Sequence, residues 1–149
     1  MGPYPDYNGP IRVNGKVDVY FLGMDAMDMD FLFKLSGLEA NCENCGIHIH
    51  EGITCSSPEL VLGHYWDSND GKTPDPWNSE YGAVYHTDGK GKAKGNYFLN
   101  SGYDIDENDG HAVVVHDQDG NRIACGVLQR GVAKCGHWKQ KKAKHAKRG

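Results

Sequence analysis

Seven short runs of residues that favour β-strands follow one another along this chain, and no helical period of useful length separates them. Glycine, asparagine or aspartate bounds the runs. They read KVDVYFLG, DFLFKLSGL, GIHIHEG, YGAVYH, KAKGNYFL, HAVVVH and RIACGVL. Between the last two, Asp119 and Gly120 are typical of a tight hairpin. The pattern predicts an all-β sandwich or barrel of seven to eight strands.

The size and the charge of the chain narrow its class. Its 149 residues suffice for one domain with a real core, and the net charge of −4 argues against nucleic acid as a partner. No apolar run approaches the roughly 20 residues that a membrane span needs. We expect an N-terminal extension over 1–15, the domain over 16–130, and a basic, disordered tail over 131–149. The alternative for this lysine-rich tail is a polyanion-binding arm.

One connection is much longer than the others. Residues 53–81 contain three prolines and little regular pattern, and a loop of that length in a compact domain is usually functional or tied down covalently. The five cysteines are an odd number, so at least one is unpaired, or pairs between molecules, if the rest are oxidised. We expect one of Cys42 and Cys45 to be bonded, either to the other or to Cys135.

Two histidines stand one residue apart in GIHIHEG. On a strand, His48 and His50 point to the same side, at a separation suited to two ligands of one metal ion, while Ile47 and Ile49 face the core. The alternative is a polar outer face that uses histidine twice. His116 at the end of a buried run and His64 in the long loop favour the metal site. An all-imidazole set is typical of copper or zinc, not of magnesium or calcium.

Four motifs resemble the Cu/Zn superoxide dismutase family, in the expected order between Lys16 and Leu128: GIHIHEG, GHYW, GHAVVVH and NRIACGVL. The resemblance implies an immunoglobulin-like Greek-key sandwich. It implies that copper is bound by the four histidines of these motifs, which are His48, His50, His64 and His116. It also implies a Cys55–Cys125 disulfide that tethers the long loop, and superoxide as substrate. In this reading Arg122 holds the anion beside copper and His64 carries a proton.

The chain departs from that family in two places. Between His64 and YGAVYH there is no further histidine for a zinc site, and only five residues separate His116 from Arg122, where the family has a long electrostatic loop. Both losses resemble the copper-only superoxide dismutases, including the copper-only dismutase-repeat proteins, whose domains occur singly or in tandem. The expectation is therefore a secreted or cell-surface enzyme with an open copper site and no zinc.

Three points stay open in the sequence. The carboxylate that would hold the second nitrogen of His64 is not identified, and the candidates are Glu51, Asp67 and Asp117. His111 lies an odd number of residues before His116, on the opposite strand face, and is expected to be a structural or a surface residue. The competing functions are a non-catalytic extracellular copper-binding or matrix module on the same sandwich, and a plain sandwich with histidines that bind nothing.

Overall fold

The computed structural model describes residues 1–131, which form eight strands and two single-turn helices. The strands are β1 (Gly2–Pro3), β2 (Asn14–Leu22), β3 (Asp28–Ser36), β4 (Cys45–His50), β5 (Val84–Tyr85), β6 (Ala93–Asn100), β7 (Ala112–His116) and β8 (Arg122–Val127). The helices are α1 (Pro58–Val61) and α2 (Ile105–Asn108), and a 3-10 turn covers Ser79–Tyr81. The predicted all-β class is confirmed, because each of the seven runs contains a strand.

Two antiparallel sheets make up the sandwich. One has five strands in the order β1-β8-β7-β4-β5, and the other has three in the order β2-β3-β6. Neighbours in each sheet that are distant in sequence, such as β3 and β6, are joined through the other sheet, as the Greek-key prediction requires. Inward-facing side chains of the two sheets meet in one apolar core.

The core supports the backbone of the strand that carries the paired histidines. The rings of Phe31 and Tyr97 stack with their centroids 4.9 Å apart, and the buried Tyr97 hydroxyl donates a hydrogen bond to the Ile47 carbonyl at 2.6 Å. Ile47 and Ile49 are fully buried, as the alternation of β4 predicts. The three-stranded sheet therefore packs against the core-facing side of β4, and His48 and His50 lie on the opposite side of that strand.

The first residues of the chain are part of the sandwich. Gly2 and Pro3 form β1, which pairs with β8, and Tyr4 is buried in a small cluster with Val61, Val114 and Cys125. Residues 132–149, where most of the basic tail is predicted, lie outside the described residues, and so does Cys135. Within residues 1–131, no helix is long and apolar enough to cross a membrane.

Two disulfides fasten the loops around β4. Cys55 is bonded to Cys125 of β8, across a sequence separation of 70 residues, so the start of the long loop is tied to the five-stranded sheet. Cys42 is bonded to Cys45 immediately before β4. The sequence left open whether one of these two cysteines is bonded to the other or to Cys135, and the structure has the bond between Cys42 and Cys45. Both bonds restrict the backbone on either side of the paired histidines.

Candidate metal centre

Four imidazoles meet on the outer face of the five-stranded sheet. Ligand atoms of His48, His50 and His64 all lie within 4.8 Å of one another. His116 is next to this group, with its ring centroid 4.8 Å from that of His48 and 5.6 Å from that of His50. Within residues 1–131, no other three His, Cys, Asp or Glu side chains bring their ligand atoms this close.

His48 depends on the absence of a side chain at Gly46. A Cβ atom built on Gly46 would lie 2.5 Å from Cε1 and 2.8 Å from Nε2 of His48, and 3.4 Å from Nδ1 of His116. The imidazole of His48 therefore folds back over the strand into space that only glycine leaves open. Its Nδ1 is buried without a hydrogen-bond partner among the described residues.

His50 and His64 are oriented by hydrogen bonds from their Nδ1 atoms. The Nδ1 of His50 is 3.0 Å from the carbonyl oxygen of Leu62, to which it donates, and this leaves Nε2 buried and unpartnered. The Nδ1 of His64 lies 2.6 Å from a carboxylate oxygen of Asp75. The other carboxylate oxygen of Asp75 accepts a hydrogen bond from the backbone N–H of Trp77, so the acid is itself fixed.

The loop that carries His64 is held directly against the end of β4. The backbone N–H of Glu51 donates a hydrogen bond to the carbonyl of Gly63, and that of Tyr65 donates to the carbonyl of Ile49. Between these two bonds, His50 and His64 form an isolated β-bridge. The indole of the fully buried Trp77 donates to the Tyr65 carbonyl at 2.8 Å. The long loop is thus held by hydrogen bonds on both sides of His64, in addition to the Cys55–Cys125 disulfide that ties its start covalently.

His116 ends β7 at a short hairpin. Asp117 closes this turn, because its carboxylate accepts hydrogen bonds from the backbone N–H groups of Asp119 and Asn121, and Gly120 has a φ of 81°. The buried hydroxyl of Tyr85 donates to the carbonyl of His116. The hairpin places Arg122 opposite His116 in the β7–β8 ladder.

Burial, together with repulsion from neighbouring positive groups, keeps the imidazoles of His48, His50 and His116 neutral. Burial lowers the pKa of His48 to about 2, with the neighbouring histidines adding to the effect. It lowers the pKa of His50 to about 3 and that of His116 to about 4, and the positive charge of Arg122 acts in the same direction on both. Neutral imidazoles with free lone pairs are the form that binds metal ions.

We expect the metal-free protein to lose stability as the pH falls below about 6.5. In the unfolded chain these three histidines take up protons near that pH, whereas in the folded chain they do not until much lower pH. Above about pH 7, the free energy of unfolding should therefore not depend on these three histidines. Below about pH 7, it should decrease by up to about 1.4 kcal/mol per pH unit for each of them. Urea unfolding between about pH 8 and pH 4.5 measures this, and a flat profile would contradict the neutral cluster.

Arg122 is positioned by a residue from the start of the chain. Its guanidinium donates a hydrogen bond to the hydroxyl of Tyr4 at 2.9 Å and lies 5.7 Å from the centroid of that ring. Arg122 is half-buried, so part of its charge faces solvent beside the imidazole cluster. A permanently charged planar group in this place attracts small anions without competing for metal.

The structure corrects the expected partner of His64. The carboxylate of Asp117 accepts hydrogen bonds within the hairpin turn, that of Asp67 accepts a hydrogen bond from the backbone N–H of Asn69, and Glu51 is exposed. The prediction that one of these three holds His64 is therefore wrong. Asp75 is the partner. Neither it nor Tyr4 has a recognisable spacing from the histidines, so no signal in the sequence singles them out. Gly46 could have been noted, because it precedes His48 on the same strand face.

His111 lies outside the imidazole cluster. Its Nδ1 is 3.1 Å from the carbonyl oxygen of His50, to which it donates, and its ring stacks on Tyr65 at 3.8 Å between centroids. Tyr65 stacks in turn on Tyr103 at 4.3 Å. This histidine therefore packs the loop against the end of β4.

The residues present fit a copper ion. Three buried ring nitrogens in the cluster lack a hydrogen-bond partner among the described residues, which would be costly unless something accepts their lone pairs. The donors are uncharged imidazoles with no carboxylate among the three closest ligand atoms, a set that suits copper or zinc. Gly46 leaves the space that one of these rings needs.

The comparisons with known proteins agree with this chemistry. No curated protein matches the chain. The sequence model of the family described as copper/zinc superoxide dismutase (SODC) matches residues 13–128, which is more than half of the chain and includes all four clustered histidines, Arg122 and the Cys55–Cys125 disulfide. The protein therefore belongs to the copper/zinc superoxide dismutase family.

Proposed function

We propose that this protein dismutates superoxide to O2 and H2O2 at a single copper ion, without zinc. In this proposal His48, His50, His64 and His116 hold the ion. The observation that carries it is the meeting of the imidazoles: His48 and His50 each have a buried nitrogen without a hydrogen-bond partner among the described residues, and ligand atoms of both lie within 4.8 Å of one of His64. The family to which the chain belongs binds copper and acts on superoxide.

The absence of zinc is supported by the second nitrogen of His64. That atom is already 2.6 Å from Asp75, so a carboxylate occupies the side of the ring on which a second cation would have to bind. Between His64 and β5 the sequence contains no further histidine. A zinc site built from one imidazole and carboxylates of the loop would lack the usual nitrogen and sulfur donors.

Copper, when bound, would exchange one electron with each of two superoxide anions in turn, because imidazole ligands accommodate both of its oxidation states. The part of the protein is to hold the rings. Asp75 accepts the Nδ1 proton of His64 in a hydrogen bond, which fixes the tautomer and directs Nε2 toward the cluster. His64 is also the most exposed of the four, with 24% of its side chain accessible, so it is the imidazole best placed to exchange a proton with water.

Arg122 would bring the substrate to the site. Seven of the sixteen lysine and arginine residues lie in 132–149, so residues 1–131 carry nine bases against twenty acids and repel an anion overall. A positive group next to the cluster offsets that repulsion locally. The hydrogen bond from Arg122 to Tyr4 keeps the guanidinium in one orientation.

The proposed location is extracellular, on the surface of a cell or secreted. Both described disulfides persist in an oxidising compartment, and one of them fixes the loop that carries His64. Such a domain would act alone or as one copy within a longer chain, as the copper-only dismutase-repeat proteins do. Its role would be the removal of superoxide as an antioxidant.

The test is to load the full chain with copper alone, measure bound metal, and assay superoxide removal. We expect one copper per chain and activity that does not increase when zinc is added. In the same assay Arg122→Ala should keep its copper but react about tenfold more slowly and with a weaker dependence on salt, since local charge focusing raises association rates by about 10-fold or more. Arg122→Lys, which keeps the charge, is the matched control.

Three results would contradict the proposal. Stoichiometric copper without activity would favour the non-catalytic binding module. A requirement for zinc would overturn the copper-only assignment, and loss of copper from Arg122→Ala would show that the arginine supports the metal site and not the anion.

A further inference from the structure

Among residues 1–131, the strand β2 is an edge strand, and its second side is left open. It pairs with β3 over its whole length, Asn14–Leu22, and no other described strand pairs with its opposite side. No proline or bulge interrupts these nine residues. An open edge of this length presents a row of unpaired backbone groups, which proteins ordinarily cover or disrupt.

The core is incompletely covered on this side. The inward-facing residues of β2, which are Val17, Val19 and Phe21, are only half-buried. Their counterparts on β3 are between 0% and 7% exposed; these are Met29, Phe31, Phe33 and Leu35. At the other edge of the same sheet, the inward-facing side chains of β6, which are Ala93, Tyr97 and Leu99, are buried as well. The gap in the core therefore follows β2 alone.

A groove runs beside this strand. It has a volume of about 920 Å³ and lies between residues 17–21 of β2 and the segment 127–131 that follows β8. Three of its apolar side chains are well exposed: Tyr20 at 57%, Ile105 at 40% and Val127 at 39%. An apolar groove beside an open edge favours the addition of another strand.

The charges of β2 are complementary to themselves in one antiparallel register. Lys16 and Asp18 lie on the outer face of the strand, 71% and 41% exposed, and form an ion pair at 2.6 Å. If a second β2 is placed antiparallel with the two Val17 residues facing each other, each Lys16 lies opposite the Asp18 of the other copy. Opposite charges at facing positions of a sheet are stabilising.

We propose that two copies of this chain associate through β2, in that register, to form a continuous six-stranded sheet. The arrangement has a two-fold axis at Val17, so the same residues are contributed by both copies. It pairs the open backbone groups of residues 14–20 and covers the half-buried apolar row of β2. Because β2 belongs to the sheet without metal-binding histidines, the proposal is independent of the proposed function.

Neighbouring registers are less favourable. Centring the axis on Asp18 places two carboxylates opposite each other, and centring it on Val19 places Lys16 opposite Leu22 and Asp18 opposite Tyr20. If one strand slips by a single residue, the inward-facing residues of one copy come opposite the outward-facing residues of the other. The charge pattern thus selects the axis at Val17.

The test is sedimentation velocity of the full chain over a wide range of concentration. We expect a monomer–dimer equilibrium. Lys16→Glu and Asp18→Lys should each raise the dissociation constant at least about tenfold, because each places like charges opposite each other. The double variant with both changes should restore the dimer, since the charges at the two facing positions are then exchanged and again opposite in sign. Lys94→Glu on the other edge strand, β6, is the matched control and should leave the equilibrium unchanged.

Hydrogen exchange supplies a second readout that does not depend on substitution. The amides on the open side of β2 should be protected at high concentration and exchange rapidly on dilution. Protection at every dilution would mean that another part of the same chain covers the edge, and the proposal would be wrong. It would also be overturned by a monomer at all concentrations, or by a double variant that associates no better than the single ones.

Discussion

Replacing Gly46 with alanine should lower the affinity for copper by at least about tenfold to a hundredfold, the range seen when groups that orient metal ligands are lost, and leave the apoprotein folded. The new Cβ would lie 2.5 Å from the His48 ring, which is shorter than any non-bonded contact a Cβ atom normally makes. The imidazole must therefore rotate away from the cluster. Gly46 is in β4 and its φ is not in the left-handed region, so alanine imposes no backbone strain.

A copper titration followed by competition with a chelator measures this effect, and urea unfolding of the apoprotein shows whether the fold is intact. Gly63→Ala is the matched control, because Gly63 precedes His64 and a Cβ there meets no atom within 4 Å. Equal copper affinity in the two variants would show that His48 is not a ligand, or that its ring tolerates a shift. Loss of the fold in Gly46→Ala would contradict the steric explanation.

Replacing Cys55 and Cys125 together with serine should lower the free energy of unfolding by roughly 4 kcal/mol. The two cysteines are 70 residues apart, and the chain-entropy account of disulfides assigns about this much to a loop of that size. Copper affinity should decrease as well, since the tether restricts the loop that carries His64. Both cysteines are replaced so that neither is left to exchange with another thiol.

The double serine variant of Cys42 and Cys45 is the comparison. Those residues are only three apart, so the same account assigns their bond about 2 kcal/mol. Urea unfolding of both variants, with copper titration, gives the two effects side by side. A loss for the Cys55–Cys125 variant no greater than that for the short loop would contradict the tethering role.

The strands were predictable because their period is two residues and their ends are marked by turn residues. β1 was not, since Gly2–Pro3 is too short to show a period and is defined only by its partner β8. The two helices were missed because four residues do not complete a helical pattern. For α2 a local signal existed, as Asp104 and Glu107 form a capping box at its start.

The metal centre was predictable where strand geometry controls it. Alternation places His48 and His50 on one face, and the end of a buried run places His116 nearby. The partners that orient these groups were not predictable. Asp75 reaches His64 from within an irregular loop, and Tyr4 reaches Arg122 across a separation of 118 residues. Such contacts depend on how the chain closes in three dimensions, which no local pattern encodes.

The reactive groups of the sandwich are confined to one of its two sheets. The β-strand histidines, Arg122 and the half-cystine that tethers the loop all come from the five-stranded sheet, whereas the outer face of the three-stranded sheet bears none of them. Mutations on that outer face can therefore accumulate without altering the reactive groups. A domain built in this way can be joined to others, or adapted to new surroundings, by changing one side while inheriting the other intact.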